Sequence, residues 1–450
     1  MLNMLEMIGV GPFITLPLVI AAAGYRLSLW AWVLGALIAV ADGLVWAELG
    51  AAFPRAGGSY AFLREIYGPH RAGKWISFLY VWQVSFTAPL SVASGCIGLS
   101  SFLAWFWPSL DHAPIAALPA LHVSNFAAAA VCLLVTALLY RNLSSATRLA
   151  WLLFAGVIAA IAGVIVSGFA QAAGHGGWHM PATSLAIPAS LAAAGLAQAT
   201  LITTYDYWGY YNICFLGGEV RQPERTIPRA ILLSVLFVAV LYLAMNLAVL
   251  PAMGQATAQA AVHASSALRL QLVAQIAQSA FGRVAGNLIA ALVIWTAFAS
   301  VFSLLLGYSR VPYAAAREDN YFHVFAALHP RFHIPHRSLI ALGFIAAGFC
   351  FFSLAQVITL LVVTRILIQF LPQQIGVILL RLRQPLLARP YRMPLFPLPP
   401  LLAMGGFLFL LINRPQAQVA LLVAAAIALS GTALYMIRAH HRRDWPFSSR

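Results

Sequence analysis

Charge is what this chain of 450 residues has least of: Asp, Glu, Lys and Arg together make up 8%, and only 11 residues are acidic. A soluble domain carries roughly 25% charged residues, so a water-solvated globular fold is excluded. Cysteine is also sparse: Cys96, Cys132, Cys214 and Cys350 all lie inside apolar runs, as buried thiols do, and provide no disulfide framework. There is no low-complexity tract, and no basic segment precedes the first apolar run, so no cleavable signal peptide is expected. HExxH, Walker A and nucleophile-elbow patterns are missing. Nothing specific therefore supports an enzyme, and nothing calls for a cofactor. His329, His333 and His336 cluster, but the prolines between them suit an ordinary interfacial turn, and no metal site is expected.

What the chain has instead is apolar length. Hydrophobic residues make up 62%, with a mean hydropathy of +0.87. The runs are about 20 residues long, which fits helices crossing a bilayer rather than barrel strands of about 10. The pattern predicts an all-α, polytopic membrane protein with twelve spans, at about 1–24, 28–52, 74–107, 124–140, 147–171, 187–216, 230–252, 285–315, 337–353, 356–380, 394–412 and 417–437. The net charge of +15 is distributed by loop. With a cytoplasmic N-terminus, most arginines and Lys74 fall in inward loops, while Arg26, Arg269, Arg283 and Arg414 face outward. That is the positive-inside pattern of a multi-pass protein with both termini cytoplasmic, not a nucleic-acid footprint. The loop at 53–73 suits a helix lying at the cytoplasmic interface, and 254–283 an outward helical lid.

Two spans carry interruptions. Gly9-Val10-Gly11-Pro12-Phe13 breaks the first, and Tyr205-Asp206-Tyr207-Trp208-Gly209 breaks the sixth. A break frees backbone groups that lipid cannot satisfy, so it survives only inside protein or beside a wet cavity. Breaks in corresponding halves mark a transporter's binding site. Their spacing predicts a five-plus-five inverted repeat, about 1–171 and 187–380, with two trailing spans at about 394–437, all one transmembrane domain over 1–450. Glycine at 9 and 11 frees the backbone, and Pro12 suits the first turn of a restarting helix, whose N-terminus favours an anion such as a carboxylate.

Asp206 is an acid within an apolar span, which marks it as functional. Three roles stay open for it: partner of a substrate ammonium, proton relay, or N-cap of the second half of the sixth helix. Thr204 precedes the same break. The aromatic cluster Tyr205, Tyr207, Trp208, Tyr210 and Tyr211 serves either as a gate or as packing. Thr296, Ser300 and Ser303 in span 8 are candidate ligands for Na⁺, or simply bond back to helix carbonyls. Glu6 precedes the first break and is expected to face the vestibule, Asp42 and Arg365 are further intramembrane charges, Glu48 is expected to pair with an arginine, and Gln83 and Ser85 are candidate polar contacts.

These residues carry a resemblance to the amino acid–polyamine–organocation superfamily, most closely to its L-type amino acid transporter branch. Gly9–Phe13 with Pro17, Ala47–Tyr60, Gly218–Ala230 and Ser309–Arg310 through Phe332 resemble its motifs, the third of them most specifically. The resemblance implies a leucine-transporter-type fold, alternating access in the cytoplasmic membrane, and a small-molecule amino acid substrate moved by symport with H⁺ or Na⁺ or by exchange, with polyamine carriage as the alternative. It implies a carboxylate held at Gly9–Phe13 and an amine near Thr204–Gly209. Pro12 departs from the pattern by removing one N–H donor, and residues 147–171 lack the lysine that some relatives use for proton coupling.

Overall fold

The computed structural model describes residues 1–111, 121–141, 146–174, 189–253, 271–413 and 417–447. Among the described residues the protein is helical, without strands. A helix bonds every interior backbone group within itself, which is what an apolar run needs in lipid.

The first span is α1 (Leu2–Met7) followed by α2 (Gly11–Ala52), which also contains the second span beyond a kink at Gly24, φ 66°. Next come α3 (Ser59–Ile66), α4 (Ala72–Phe106), α5 (Val123–Arg141) and α6 (Ala146–Gly174). The sixth span is α7 (Ala189–Tyr207) and the single turn α8 (Asn212–Phe215), followed by α9 (Pro223–Ala252). Beyond the undescribed residues 254–270, where most of the expected lid falls, lie α10 (Leu272–Phe281), α11 (Arg283–Tyr308), α12 (Arg310–Arg317) and α13 (His336–Phe349). The tenth span is α14 (Leu354–Arg365), a π-turn at Ile366–Phe370 and α15 (Leu371–Arg383), before α16 (Leu398–Ile412) and α17 (Ala417–Arg442). Pro372, in the first turn of α15, has no N–H to return to the preceding turn, and the wide π-turn absorbs that gap.

Helices thus stand at all twelve expected spans, eight of them long and apolar enough to cross a membrane unaided. The chain is a multi-pass membrane protein.

The core forms where α2 packs against α7 and α9, and where α4 packs against α11. Gly35 makes the first contact close: a Cβ there would stand 2.6 Å from the Thr203 hydroxyl oxygen. Small residues are what let membrane helices approach in this way. Helix α3 is the one expected at the cytoplasmic interface. It is tucked into the bundle with Tyr60, Phe62 and Leu63 buried, because Ser59 Oγ donates to Gln373 Oε1 at 2.5 Å and Tyr67 Oη to the Pro372 carbonyl at 2.8 Å.

Glu48 does pair with arginine. Its side chain is 1% exposed and meets Arg381 Nε at 2.9 Å, Arg389 Nε at 3.5 Å and the Met393 N–H at 2.8 Å. Removing one member of a buried ion cluster strands the others, at about 3–5 kcal/mol. Glu48→Ala is therefore expected to lower the thermal midpoint of detergent-purified protein sharply; an unshifted midpoint would count against a buried cluster.

Candidate functional site

At the first break α1 ends at Met7, and α2 restarts at Gly11 with Pro12 in its first turn. The N–H groups of Phe13 and Ile14 turn back to the Val10 carbonyl at 3.1 and 3.3 Å. The second break lies later than the sequence suggested. Helix α7 continues through Tyr207, and the interruption spans residues 208–211, with Gly209 at φ 123°.

Asp206 consequently sits in the last turn of α7 and caps nothing, since α8 has Tyr211 at its N-cap without a side-chain bond. The Asp206 carboxylate instead reaches across to the first break. Its Oδ2 accepts the Thr15 hydroxyl at 2.5 Å, while Oδ1, buried, has no hydrogen-bond partner. Gly11 permits this approach, because a Cβ at that position would collide with Asp206 Oδ1. Gly209 closes the junction from the other side: a Cβ there would stand 2.8 Å from both Glu6 Cγ and the Met7 nitrogen. The Tyr242 hydroxyl donates to the Met7 carbonyl at 2.6 Å and reaches the Asp206 carbonyl at 3.4 Å. The two breaks therefore form one structure.

Between them lies a small cavity of about 40 Å³. Of the residues expected to bind substrate, Gly9, Val10, Gly11, Tyr205, Asp206 and Trp208 line it. Pro12, Phe13, Thr204, Tyr207 and Gly209 stand behind the lining. Tyr207 turns away to pack on Trp32 and Tyr242, ring centroids 6.0 and 5.3 Å apart. Tyr210 donates to Asp42, which also accepts from Gln374, so that acid ties the second, sixth and tenth spans together away from the cavity. Of the aromatic cluster, Tyr205, Trp208 and Tyr211 face the cavity.

Among the candidate ion ligands, Ser300 lines the cavity and its hydroxyl donates to the Glu6 carbonyl at 3.4 Å. Ser303 donates to the Leu2 carbonyl at 3.3 Å, and Thr296 bonds back to Leu292 at 2.8 Å. Gln83 and Ser85 are spent elsewhere, on Thr87 and Tyr321. The polar contacts from α4 come from Ser91 and Ser94 instead; Ser94 Oγ lies 2.5 Å from Tyr205 Oη. Among the described residues no group of three or more His, Cys, Asp or Glu side chains is arranged to hold a metal ion.

Two further charges line the cavity, Glu6 as expected from its place before the first break and Arg365, which sequence marked only as an intramembrane charge. Glu6, at the end of α1, lines the cavity with its Oε2 buried and without a hydrogen-bond partner. Arg365, 3% exposed, ends α14 immediately before the π-turn. Its guanidinium donates to Tyr211 Oη at 2.8 Å, Ser91 Oγ at 2.9 Å and the Thr87 carbonyl at 3.4 Å. The rings of Trp208 and Tyr308 lie 5.6 and 5.1 Å from its central carbon. Arg365 and Glu6 make no ion pair within 4.0 Å among the described residues.

A chargeable cavity held between two broken helices, inside an apolar multi-pass bundle, defines a membrane carrier. A profile of the amino acid permease family matches residues 2–436, and the chain belongs to that family. It is 31% identical over 350 residues to an uncharacterised transporter of Mycobacterium tuberculosis, covering 76% of this chain and 70% of the relative. It is 26% identical over 418 residues to the serine/threonine exchanger SteT of Bacillus subtilis, covering 90% and 86%. To the methylthioribose transporter of the same bacterium it is 25% identical over 415 residues, covering 91% and 85%.

Proposed function

We propose that this protein moves amino acids across the cytoplasmic membrane by alternating access, as a symporter or an exchanger, with both termini cytoplasmic. The observation that carries the reading is Asp206, a buried acid in the lining of a cavity built from both helix breaks, with one carboxylate oxygen lacking a hydrogen-bond partner among the described residues. A substrate ammonium suits that oxygen. The restart of α2 presents its positive end to the substrate carboxylate, with the donor that Pro12 lacks missing and the Phe13 N–H already turned back to the Val10 carbonyl. The five-plus-five repeat, spans 1–5 against 6–10, supplies the two halves that rock about this point. Binding drives the cycle only through unequal affinity for the inward- and outward-facing states.

Polyamine carriage stands as a second reading, because the cavity presents two acids, Glu6 and Asp206. Arg365 in the same lining opposes a polycation, which ranks that reading below the first.

The test is uptake into proteoliposomes of a labelled amino-acid panel, putrescine and methylthioribose, with and without substrate inside. Accumulation of one or a few amino acids is the expected result, and dependence on internal substrate separates exchange from ion coupling. Uptake of putrescine or methylthioribose alone would overturn the reading.

A further inference from the structure

The ionisable side chains lining the cavity do not balance. Glu6 and Asp206 bring two carboxylates, and Arg365 one guanidinium. Glu6 is 7% exposed and Asp206 3%, and among the described residues each has one buried oxygen without a hydrogen-bond partner. The Arg365 guanidinium, in contrast, spends three of its five N–H donors on protein acceptors and lies against two rings, which leaves donors for a ligand carboxylate. A buried carboxylate oxygen without a donor is costly, and the cost is relieved when a ligand supplies the missing cation.

The two acids enter the lining from different helices. Asp206 lies against Gly11 at the start of α2, and Glu6 lies under Gly209 at the end of α1. One ammonium at Asp206 therefore leaves Glu6 with only Arg365, which acts on it from beyond ion-pair distance, and a neutral amino acid has no second cation to offer. A basic amino acid has two cationic groups and one carboxylate, which is the inverse of this lining. Putrescine has the two cations but no carboxylate to set against Arg365.

We infer that the transporter is selective for basic amino acids, with Glu6 the residue that recognises the side-chain cation. The α-ammonium takes the free oxygen of Asp206, and the carboxylate faces Arg365 and the first break. This assignment rests on the amino-acid reading above and adds the substrate class to it.

Competition of unlabelled lysine, arginine, serine, leucine and putrescine against labelled lysine in proteoliposomes tests it. In the wild type, lysine or arginine should compete at least about tenfold better than serine or leucine, the worth of one charge-assisted hydrogen bond. Glu6→Gln should bring that ratio to near one, and Glu6→Asp should keep most of it. A variant that is merely less stable lowers all uptake and leaves the ratio alone, so an unchanged ratio in Glu6→Gln overturns the role of Glu6. If Glu6→Gln cannot be purified, the wild-type ratio and Glu6→Asp still decide. Preference for a neutral amino acid, accompanied by H⁺ or Na⁺, overturns the substrate class while leaving amino-acid transport standing. Transport of putrescine or methylthioribose and no amino acid sinks both.

Discussion

Asp206→Asn is expected to lower uptake in proteoliposomes by about 10–100-fold while leaving the protein folded, the range that loss of a charged hydrogen-bond partner predicts. Asparagine is nearly isosteric, and its carbonyl oxygen still accepts from Thr15, the one side-chain bond that Asp206 makes. What disappears is the charge on an acid in the cavity lining. Because the residue does not cap α8, no helix end is left unsatisfied by the change. The readouts are uptake rate and thermal midpoint on the same preparation. Uptake within about threefold of wild type, well short of a charged bond's worth, would remove Asp206 from substrate recognition.

Gly209→Ala should be the most damaging small change in the bundle. Its φ of 123° is a conformation that a side chain strains to adopt, at about 1–3 kcal/mol. The added carbon would also stand 2.8 Å from the Met7 backbone nitrogen, which cannot rotate away as a side chain would. Either the two breaks separate or the sixth span fails to turn, and both outcomes remove transport. Gly348→Ala is the matched control: nothing lies within 4 Å of its new methyl group, and it sits inside α13. That change should be neutral or stabilising by about 0.5–1 kcal/mol, alanine's advantage in a helix. Thermal midpoints of the two variants that fell equally would contradict the close approach.

The spans were legible because apolar length is a property of composition, and so was the first break, where glycines and a proline stand together. The second break was misplaced because Tyr205, Asp206 and Tyr207 carry no local breaker. The helix runs on until Gly209 supplies the one backbone geometry that the turn requires. Helical rotation then divides the expected cluster, turning Asp206 toward Thr15 and Tyr207 toward Trp32. On α4 the polar stripe of Gln83, Thr87, Ser91 and Ser94 follows one helical face, but sequence gives no depth, and the cavity lies at the later members. Glu6 and Arg365 were visible as charges in apolar surroundings. That they share a cavity depends on packing between spans one and ten, separated by most of the chain, which no local pattern encodes.

The Tyr242 hydroxyl has one proton and two carbonyls within reach, one from each broken helix. A single proton tethers the two half-helices to the same point on α9, so a shift of either one toward or away from Tyr242 redistributes that bond to the other. The two interruptions, far apart in the sequence, thereby share one anchor point on α9.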